Sequence, residues 1–411
     1  MKSHNTENLL VALDVGTTKI CVLVAQRLAA NSLHIVGIGK APSHGVSRGV
    51  VTDIAQTVHA IKQALKEAEL MAGCTIESVY VGISGAHIHS LNSQGMVPIK
   101  QGCVKTHDIA AVLAAARAVV IPEGQQIVHI LPQYYTIDGQ QKVTDPLGMF
   151  GVRLEANVHI ITGSIASVQN LVRCCEMAGV KVADIILEPL ASADAVLSAD
   201  EKELGVGILD IGGGTSDFAA YQNGSIRHTK VFGIAGNHFT HDIALCLRTT
   251  IKDAERVKHE FGSTIDFLST NQERFEVEMV HGQLRKIVSV NELVAIIESR
   301  AVELMYMVNQ EISKNNLAHL IPAGIVLTGG GSLLRGIEYT AQSLMHMPVR
   351  IGNPHVPALC KESLDSPLYA TGYGLLVYML HKQKSVPLDH LAGPLMSRIL
   401  WRMKSWVSDF F

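Results

Sequence analysis

The chain has 411 residues, of which 47% are hydrophobic and 17% are charged, which allows two or three domains with a sizeable core and argues against disorder. The net charge of -3 gives no whole-chain case for a nucleic-acid partner. The seven cysteines include no CxxC pair, which indicates buried thiols in a reducing compartment and argues against disulfides or structural zinc.

The predicted elements begin close to the N-terminus. The opening MKSHNTENLLVALD is polar and then strand-like, without a signal-peptide core, and no run approaches the ~20 apolar residues of a spanning helix. Residues 9–24 are predicted to form two strands around the turn DVGTTK, and Ile54–Ala72 a helix that ends at Gly73. VYVGISG at 79–85 is typical of a strand. We therefore expect a soluble, cytoplasmic chain.

The pattern changes over residues 86–163. Short strands such as MVPI and QIVHILP surround one strong helix, DIAAVLAAARAVV, for which Thr106 or Asp108 is the predicted cap. The main pattern resumes at VHIITGS, and it continues with a helix over Ile165–Ala178 and the strand VADIILEP. We predict a small α+β subdomain inserted at 86–163.

The second half of the chain begins with the glycine-rich segment LDIGGGTSDF. Residues 237–319 are predicted to be mostly helical, including DAERVKHEF and a long helix over VNELVAIIESRAVELMYMVNQEI. A strand, a glycine turn and a helix follow at 323–344, and LYATGYGLLVYML predicts the last helix of the folded part. HKQKSVPLDHLAGP at 381–394 is typical of a linker. Alternating strands and helices predict an α/β fold with mixed or parallel sheets.

Asp14 and Asp210 each close an apolar strand directly before a glycine turn. Successive glycine and threonine N–H groups in such a turn can cradle an anion, and glycine leaves no Cβ in the way. A carboxylate beside phosphate is favourable only when Mg²⁺ lies between them, held through water. Two such turns facing each other would clamp a metal-bound triphosphate, with Lys19 adding a positive charge.

Other glycine-rich sites fit less well. A single glycine stretch can be a plain turn, but this chain has two acid-led copies and a third glycine turn. A dinucleotide-binding loop opens a helix, whereas TSDFAAY alternates like a strand, and the P-loop pattern GxxxxGK[ST] is absent. The histidine pairs His87/His89 and His238/His241 have no third ligand at a suitable spacing, so we do not expect a histidine metal site.

Three segments resemble the motifs of the superfamily that contains actin, sugar kinases and heat-shock chaperone ATPases. DVGTTK resembles its first phosphate motif, LDIGGGTSDF its second, and VLTGGGSLLRG at 326–336 its adenosine motif. LEPLASADAVL at 187–197 resembles the segment whose acidic residue orients attacking water, which implies a catalytic role for Glu188. DAERVK at 253–258 resembles the element that lines the purine pocket.

This resemblance implies ATP and Mg²⁺ as cofactors, with the metal held by Asp14 and Asp210. The nucleotide contacts that it implies are Gly16, Thr17, Thr18, Lys19, Gly212, Gly213, Gly214, Thr215, Gly236, Glu255, Lys258, Gly330, Gly331, Ser332 and Leu333.

Within the superfamily, essentially the whole chain resembles the FtsA family of bacterial cell-division proteins. The insertion lies where that family carries its extra subdomain, actin's second subdomain is missing, and HTKVFGIAGNHFTHDIA resembles the crossing into the nucleotide lid. The implied fold is an actin-like two-domain ATPase fold with an inserted α+β subdomain and a C-terminal amphipathic helix. Its parts would be a first actin-like half over 1–85 and 164–203, the inserted subdomain over 86–163, a second half over 204–235 and 320–380, a nucleotide-lid subdomain over 236–319, a linker over 381–394 and a membrane-targeting helix over 395–411.

The last residues, 395–411, have helical amphipathicity. At 100° per residue, the apolar side chains fall within an arc of about 160° that excludes the basic residues. Such a helix is too charged to span a membrane and is suited to lie on an anionic membrane surface, although it could instead dock on the protein's own core or form an oligomer contact. The predicted membrane residues are Leu395, Ile399, Leu400, Trp406, Phe410 and Phe411 on the apolar face and Arg398, Arg402 and Lys404 on the basic flank.

The family resemblance implies a function in cell division. It implies a peripheral protein at the division site, on the cytoplasmic side of the inner membrane, that polymerises and tethers the FtsZ ring to that membrane. The implied partners are the FtsZ C-terminal tail, other copies of the chain and other divisome proteins, with Arg300 of the lid as a candidate FtsZ contact; any ATPase activity would be slow. The alternatives are an actin-like pilus-assembly scaffold, and a sugar kinase or chaperone ATPase, which lack this insertion.

Overall fold

The computed structural model describes residues 9–28, 32–265, 274–280, 285–357 and 360–382. Strands and helices are numbered along the chain. Within the described residues, two five-stranded sheets form the centres of two halves, and a four-stranded sheet belongs to the inserted segment.

The first half is built around a sheet with strand order β11-β6-β1-β2-β3. β1 and β2 are antiparallel and joined by the predicted DVGTTK turn, whereas β6 runs parallel to β1 and to β11. The strand interiors are almost entirely buried because helices cover the sheet, α1 packing with α3 and α4 with α11. Its strands are β1 (Leu9–Val15), β2 (Lys19–Arg27), β3 (Leu33–Pro42), β6 (Ser78–Ile83) and β11 (Lys181–Leu187), with a short ribbon of β4 (Val46–Ser47) and β5 (Val50–Val51). Its helices are α1 (Ile54–Ala72), α3 (Ile165–Ala178), α4 (Glu188–Val196) and α11 (Ala370–Lys382).

Local caps explain why two helices have their predicted bounds. The Asp53 carboxylate accepts a hydrogen bond of 3.0 Å from the Gln56 amide and so starts α1, and Gly73 ends it with a left-handed φ of 65°. Ser164 and Gly179 do the same for α3. The predictions for both helices are confirmed. The strand predicted at VADIILEP ends at Leu187, because Glu188 already starts α4, and Pro189 suits the first turn of that helix.

The second half repeats this plan with strand order β14-β13-β12-β17-β18. β12 is antiparallel to β13 across the glycine turn and parallel to β17, as β1 is to β2 and β6. The strands are β12 (Val206–Ile211), β13 (Ser216–Gln222), β14 (Ser225–Phe232), β17 (Ile325–Thr328) and β18 (Val349–Ile351). The helices are α5 (Ala199–Leu204), α6 (Gly236–Leu247), α7 (Ile251–Phe261), α8 (Val290–Lys314), α9 (Ile337–Met345) and α10 (Lys361–Leu364).

The region between α7 and α8 contains a hairpin that the helical prediction missed. It consists of β15 (Arg274–Glu278) and β16 (Arg285–Ser289). Phe275 and Val277 are buried and alternate with exposed charged residues, which is the period of a strand. The prediction of a mostly helical segment is therefore wrong over these residues, since the alternation extends over too few positions to outweigh its polar surroundings.

The inserted segment forms one sheet with strand order β7-β10-β8-β9, covered by a single helix. Its glycine at position 95 lets this helix approach closely, because a Cβ there would overlap the backbone of Val112 and Ala116. The strands predicted as MVPI and QIVHILP are parts of much longer ones. The elements are β7 (His89–Pro98), α2 (Thr106–Arg117), β8 (Gln125–Ile137), β9 (Gln140–Val143) and β10 (Arg153–Ser164).

The predicted N-cap of α2 is wrong. The cap position is Lys105, so Thr106 is the first helical residue and Asp108 lies inside the first turn. Asp108 still satisfies a free donor, since its carboxylate accepts a hydrogen bond of 2.9 Å from the Lys105 amide. The helix also ends at Arg117, before the last residues of the predicted segment.

The insertion contacts the second half through the edge strand β14. Ser90 Oγ donates to the Thr229 carbonyl at 3.0 Å, and Asn92 Nδ2 to the Arg227 carbonyl at 3.4 Å. The buried His159 ring pairs through Nε2 with the Thr229 hydroxyl at 3.0 Å. These hydrogen bonds satisfy polar groups that an edge strand would otherwise leave without a protein partner. The insertion therefore contacts both halves, since it also accepts a hydrogen bond of 3.0 Å at His129 Nε2 from the Leu187 amide of the first half.

The predicted tail lies outside the described residues. Helix α11 includes His381 and Lys382, where the linker was predicted to begin. The rest of that linker and the amphipathic helix at 395–411, with all of its predicted membrane residues, fall beyond the part of the chain that the structure describes. No helix within the described residues is long and apolar enough to cross a bilayer.

The close packing of α11 on α4 gives a stability prediction. A Cβ at Gly374 would overlap the Ala191 carbonyl and lie 3.1 Å from its Cα, whereas at Gly372 the nearest atom is a Leu23 methyl at 3.3 Å. We expect Gly374→Ala to lower the free energy of unfolding by roughly 1–3 kcal/mol because backbone has to move. Gly372→Ala is the matched control and should change it much less, since the Leu23 side chain can shift by a few tenths of an ångström and alanine favours the helix. Urea unfolding followed by circular dichroism measures both, and equal losses would contradict this account of the packing.

Candidate functional site

A cavity of about 370 Å³ lies between the two halves. The turns β1–β2 and β12–β13, the helices α6 and α7, the loop after β17 and the start of α11 all contribute to its lining. Every candidate site residue predicted from the sequence within the described residues lines it, except one. The lining candidates are Asp14, Gly16, Thr17, Thr18, Lys19, Glu188, Asp210, Gly212, Gly213, Gly214, Thr215, Gly236, Glu255, Lys258, Gly330, Gly331 and Leu333.

The exception is Ser332. This residue is buried, and its hydroxyl donates a hydrogen bond of 2.8 Å to the Gly329 carbonyl, which closes the glycine turn from behind. Its neighbours Gly331 and Leu333 do line the cavity. Gly331 and Leu333 therefore line the cavity and Ser332 does not, although the motif contains all three. The sequence motif cannot specify this difference.

The two glycine turns face each other across the cavity. Each is closed in the same way, by a hydrogen bond of 3.1 Å from the Gly16 amide to the Lys19 carbonyl and one of 2.9 Å from the Gly212 amide to the Thr215 carbonyl. A Cβ at the next glycine, Gly213, would overlap the hydroxyl of Thr18. The turns can approach this closely only because glycine has no side chain.

Three buried aspartates and one glutamate lie around the two turns. Burial raises the pKa of Asp14 to about 6; nearby Lys19 opposes the rise, and Asp210 adds to it. The pKa of Asp210 is also raised by burial, against hydrogen bonds from Ser192 and Thr371 and the charge of Lys19. Carboxylates that are costly to ionise without a counterion are the expected surroundings of a cation.

Glu188 faces the same cluster from the first residue of α4. Burial raises its pKa well above the usual value, and the charges of Asp14, Asp217 and Asp210 raise it further. A Cβ at Gly82 would lie 3.1 Å from Glu188 Cγ, so the strand end leaves just enough room for this side chain. A glutamate whose pKa is raised in this way is suited to accept a proton.

The donor set fits a hard divalent cation held through water. Carboxylate oxygens are the ligands that Mg²⁺ prefers, and Mg²⁺ usually keeps several of its waters. Within the described residues, no three His, Cys, Asp or Glu side chains converge closely enough to coordinate one ion directly. Asp14 and Asp210 would therefore hold the ion through its hydration shell.

The structure adds Asp217 and Ser84, which the motif analysis did not assign. Burial raises the pKa of Asp217 to about 7, and hydrogen bonds oppose the rise, from Ser84 Oγ at 2.5 Å and Thr215 Oγ1 at 3.1 Å. Ser84 lies at the end of β6, directly before the inserted subdomain. The signal for Asp217 was its place in the glycine-rich segment, two residues after Thr215, but the strand alternation suggested a core position.

The lid side of the cavity is built on α6 and α7. Lys258 Nζ donates to Glu255 Oε2 at 2.7 Å, to Thr240 Oγ1 at 2.8 Å and to the Gly236 carbonyl at 3.2 Å. These contacts link the two helices through one ammonium group. The three predicted residues on these helices, Gly236, Glu255 and Lys258, therefore do come together.

Three other residues singled out from the sequence have local partners. His238 Nδ1 accepts from the Ala235 amide at 3.1 Å, and His241 Nδ1 pairs with the Asn237 carbonyl at 2.7 Å. Arg300 pairs with Asp242 through two nitrogens, at 2.6 and 2.9 Å. Arg300, the candidate partner contact, is therefore already held within the lid.

Two family models match the chain. The model described as cell division protein FtsA matches residues 207–374, and the model of the SHS2 domain inserted in FtsA matches residues 85–162. The second match coincides closely with the observed four-stranded insertion.

Full-length relatives cover the whole chain. The cell division protein FtsA of Pseudomonas aeruginosa is 44% identical over 417 residues, which covers 100% of both proteins. The FtsA protein of Escherichia coli K12 is 37% identical over 412 residues, which covers 98% of both.

Solved structures show the same fold at low identity. The PilM-PilN type IV pilus biogenesis complex has a TM-score of 0.65 at 18% identity and covers 90% of this chain and 98% of that one. MreB5 of Spiroplasma citri bound to ADP has a TM-score of 0.57 at 18% identity and covers 92% and 99%. The chain thus has the actin-like fold expected from its motifs.

The raised pKa of Asp217 predicts a pH dependence. Because the folded chain holds this proton more tightly than the unfolded chain, the stabilisation is lost as pH rises from about 4 to about 7. We expect Asp217→Asn to avoid this loss, so that its stability relative to wild type increases by roughly 2–4 kcal/mol between pH 4 and pH 8 in the presence of EDTA. Urea unfolding at several pH values measures the difference in the free energy of unfolding between wild type and variant. A difference that does not vary with pH would contradict a raised pKa of Asp217.

Proposed function

The chain belongs to the FtsA family of cell division proteins, and from this premise we propose that it binds Mg²⁺·ATP between its two halves and tethers the FtsZ ring to the membrane. The observation that carries the nucleotide proposal is the pair of acid-led glycine turns facing one cavity. The cavity volume lies within the range usual for small-molecule sites. The MreB5 structure with the same fold was solved with ADP bound, which supports a nucleotide as the ligand.

The roles proposed for individual residues follow from their chemistry. The backbone amides and hydroxyls of the two turns bind phosphate oxygens, because the small residues of these turns let the hydrogen-bond donors come close to the phosphates. Asp14 and Asp210 hold Mg²⁺ through water, and Lys19 adds a compact positive charge. When bound, Mg²⁺ supplies charge that neutralises both the phosphates and the carboxylate cluster. Glu255 and Lys258 lie on the lid side, where the purine would bind.

Glu188 is the proposed catalytic residue. Its side chain lines the cavity beside the acid cluster, and burial together with the charges of the three aspartates raises its pKa well above the usual value, which favours proton uptake. It would orient a water molecule and take its proton during hydrolysis. Hydrolysis need not be fast, because a protein that assembles into filaments can use nucleotide binding alone to favour its closed, polymer-forming state.

The membrane role rests on the sequence of the tail. An amphipathic helix at 395–411 would place its apolar face in an anionic membrane surface on the cytoplasmic side, and a filament that displays many such helices would bind more firmly than one copy. The FtsZ C-terminal tail would bind the lid subdomain, and other divisome proteins would bind the same assembly. The pilus-assembly alternative shares the fold, but the full-length relatives at 37–44% identity are cell division proteins.

The metal and phosphate roles predict a loss of nucleotide binding when Asp210 is changed. We expect Asp210→Asn to weaken Mg²⁺·ATP binding by at least about tenfold, because a charged ligand to the hydrated ion is lost. Asp200→Asn, on the exposed face of α5, is the matched control and should bind like wild type. Calorimetric titration measures the affinities. Replacing Mg²⁺ by EDTA should weaken wild type and leave the variant nearly unchanged; an unchanged affinity of Asp210→Asn would contradict the proposal.

The sequence of the tail predicts that the chain binds anionic vesicles through residues 395–411. We expect deletion of 395–411 to abolish sedimentation with anionic vesicles, and FtsZ to leave the vesicle pellet with it. Ile399→Asp, which puts a charge on the apolar face, should have nearly the same effect in the full chain, whereas Ser405→Asp puts the same charge on the polar face and should retain most binding. Continued sedimentation of the truncated chain would remove the basis for the anchor.

A further inference from the structure

The turn Pro367–Tyr369, which leads into α11, forms part of the cavity lining, yet none of the roles above uses it. Together with Thr371 in the first turn of α11, it contacts Lys19 and Asp210. The Leu368 carbonyl accepts a hydrogen bond from Lys19 Nζ, and Thr371 Oγ1 donates to Asp210 Oδ2 at 3.0 Å. A segment nearly at the end of the described chain therefore touches charged groups of both halves.

Lys19 is held at its ammonium group. Besides the bond to the Leu368 carbonyl, Nζ lies 4.9 Å from the centre of the Tyr369 ring, within the range of a cation–π contact. Its charge also acts on the carboxylates of Asp14 and Asp210. An ammonium group has three N–H donors, so one bond to a carbonyl leaves two for a phosphate.

We propose that Tyr369 is a positioning residue that holds Lys19 in place for the phosphates of the bound nucleotide. The inference rests on the proposed nucleotide binding and assigns a residue outside the phosphate and adenosine turns. A lysine side chain has four rotatable bonds and loses much freedom when its ammonium group is fixed. Because the ring and the Leu368 carbonyl fix that group before the ligand arrives, less freedom is lost on binding.

The chain contains its own control for this contact. Lys40 Nζ lies 4.7 Å from the centre of the same ring and contacts the Tyr369 hydroxyl. Unlike Lys19, Lys40 is exposed and does not line the cavity. Two lysines therefore share one aromatic ring, and only one of them faces the proposed ligand.

The first test compares ligands with and without phosphates. We expect Tyr369→Leu to weaken Mg²⁺·ATP binding about fivefold while adenosine, measured by competition, binds as before. Tyr369→Phe, which keeps the ring, should restore most of the affinity, and Lys40→Gln should match wild type. The ratio of the two affinities does not depend on the folded fraction of the sample, so a destabilised variant still gives a result. An equal loss for adenosine would show a general packing defect and overturn the proposal.

The second test asks whether Tyr369 acts through Lys19. In a double-mutant cycle, Tyr369→Leu should have no further effect on Mg²⁺·ATP affinity once Lys19 is changed to glutamine. The same fivefold loss in both backgrounds would show that the ring acts independently of the lysine and would overturn the proposal. Wild type that fails to bind Mg²⁺·ATP at all would refute the proposed function. Wild type that binds, with an unaffected Tyr369→Leu, would refute this inference alone.

Discussion

The close approach of two glycine turns is the constraint on which the centre of this structure depends. A side chain at Gly213 or Gly214 would overlap the side chain of Thr18 or Thr17 of the opposite turn, so the two turns can meet here only because these two positions are glycine. That approach brings two strand-end aspartates into one buried cluster, and it leaves amide groups facing a cavity of about 370 Å³. The repeated strand plan of the two halves is what places the turns opposite each other.

The acid cluster is a local cost to stability that the surrounding residues only partly offset. Hydroxyl donors from distant parts of the chain, Ser192 and Thr371 on Asp210 and Ser84 on Asp217, lower the energy of the ionised carboxylates, as does the ammonium group of Lys19. The pKa values nevertheless remain raised. Mg²⁺ bound here, as proposed, would offset this cost and give the carboxylate cluster and the anion cradle a common ligand.

The inserted subdomain is joined to both halves. The chain connects it to the first half directly after Ser84, whose hydroxyl bonds to Asp217 at the cavity. Side chains of β7 and β10 bond to the edge strand β14 of the second half. Membership in the FtsA family accounts for the presence of this insertion, and these contacts show how the insertion is integrated into the actin-like core.

The sequence by itself determined the features that depend on near neighbours: the acid-led turns at Asp14 and Asp210, the helices whose caps lie beside them, and the existence of an insertion. These could be predicted because strand period, capping and turn chemistry act over a few residues. It did not reveal the hairpin β15–β16, whose alternation is too short to stand out. Tertiary structure alone brought Ser84 to Asp217, 133 positions away, and Tyr369 to Lys19, and turned Ser332 away from the cavity. Such contacts join residues from separate elements, and local propensity carries no information on which elements will meet.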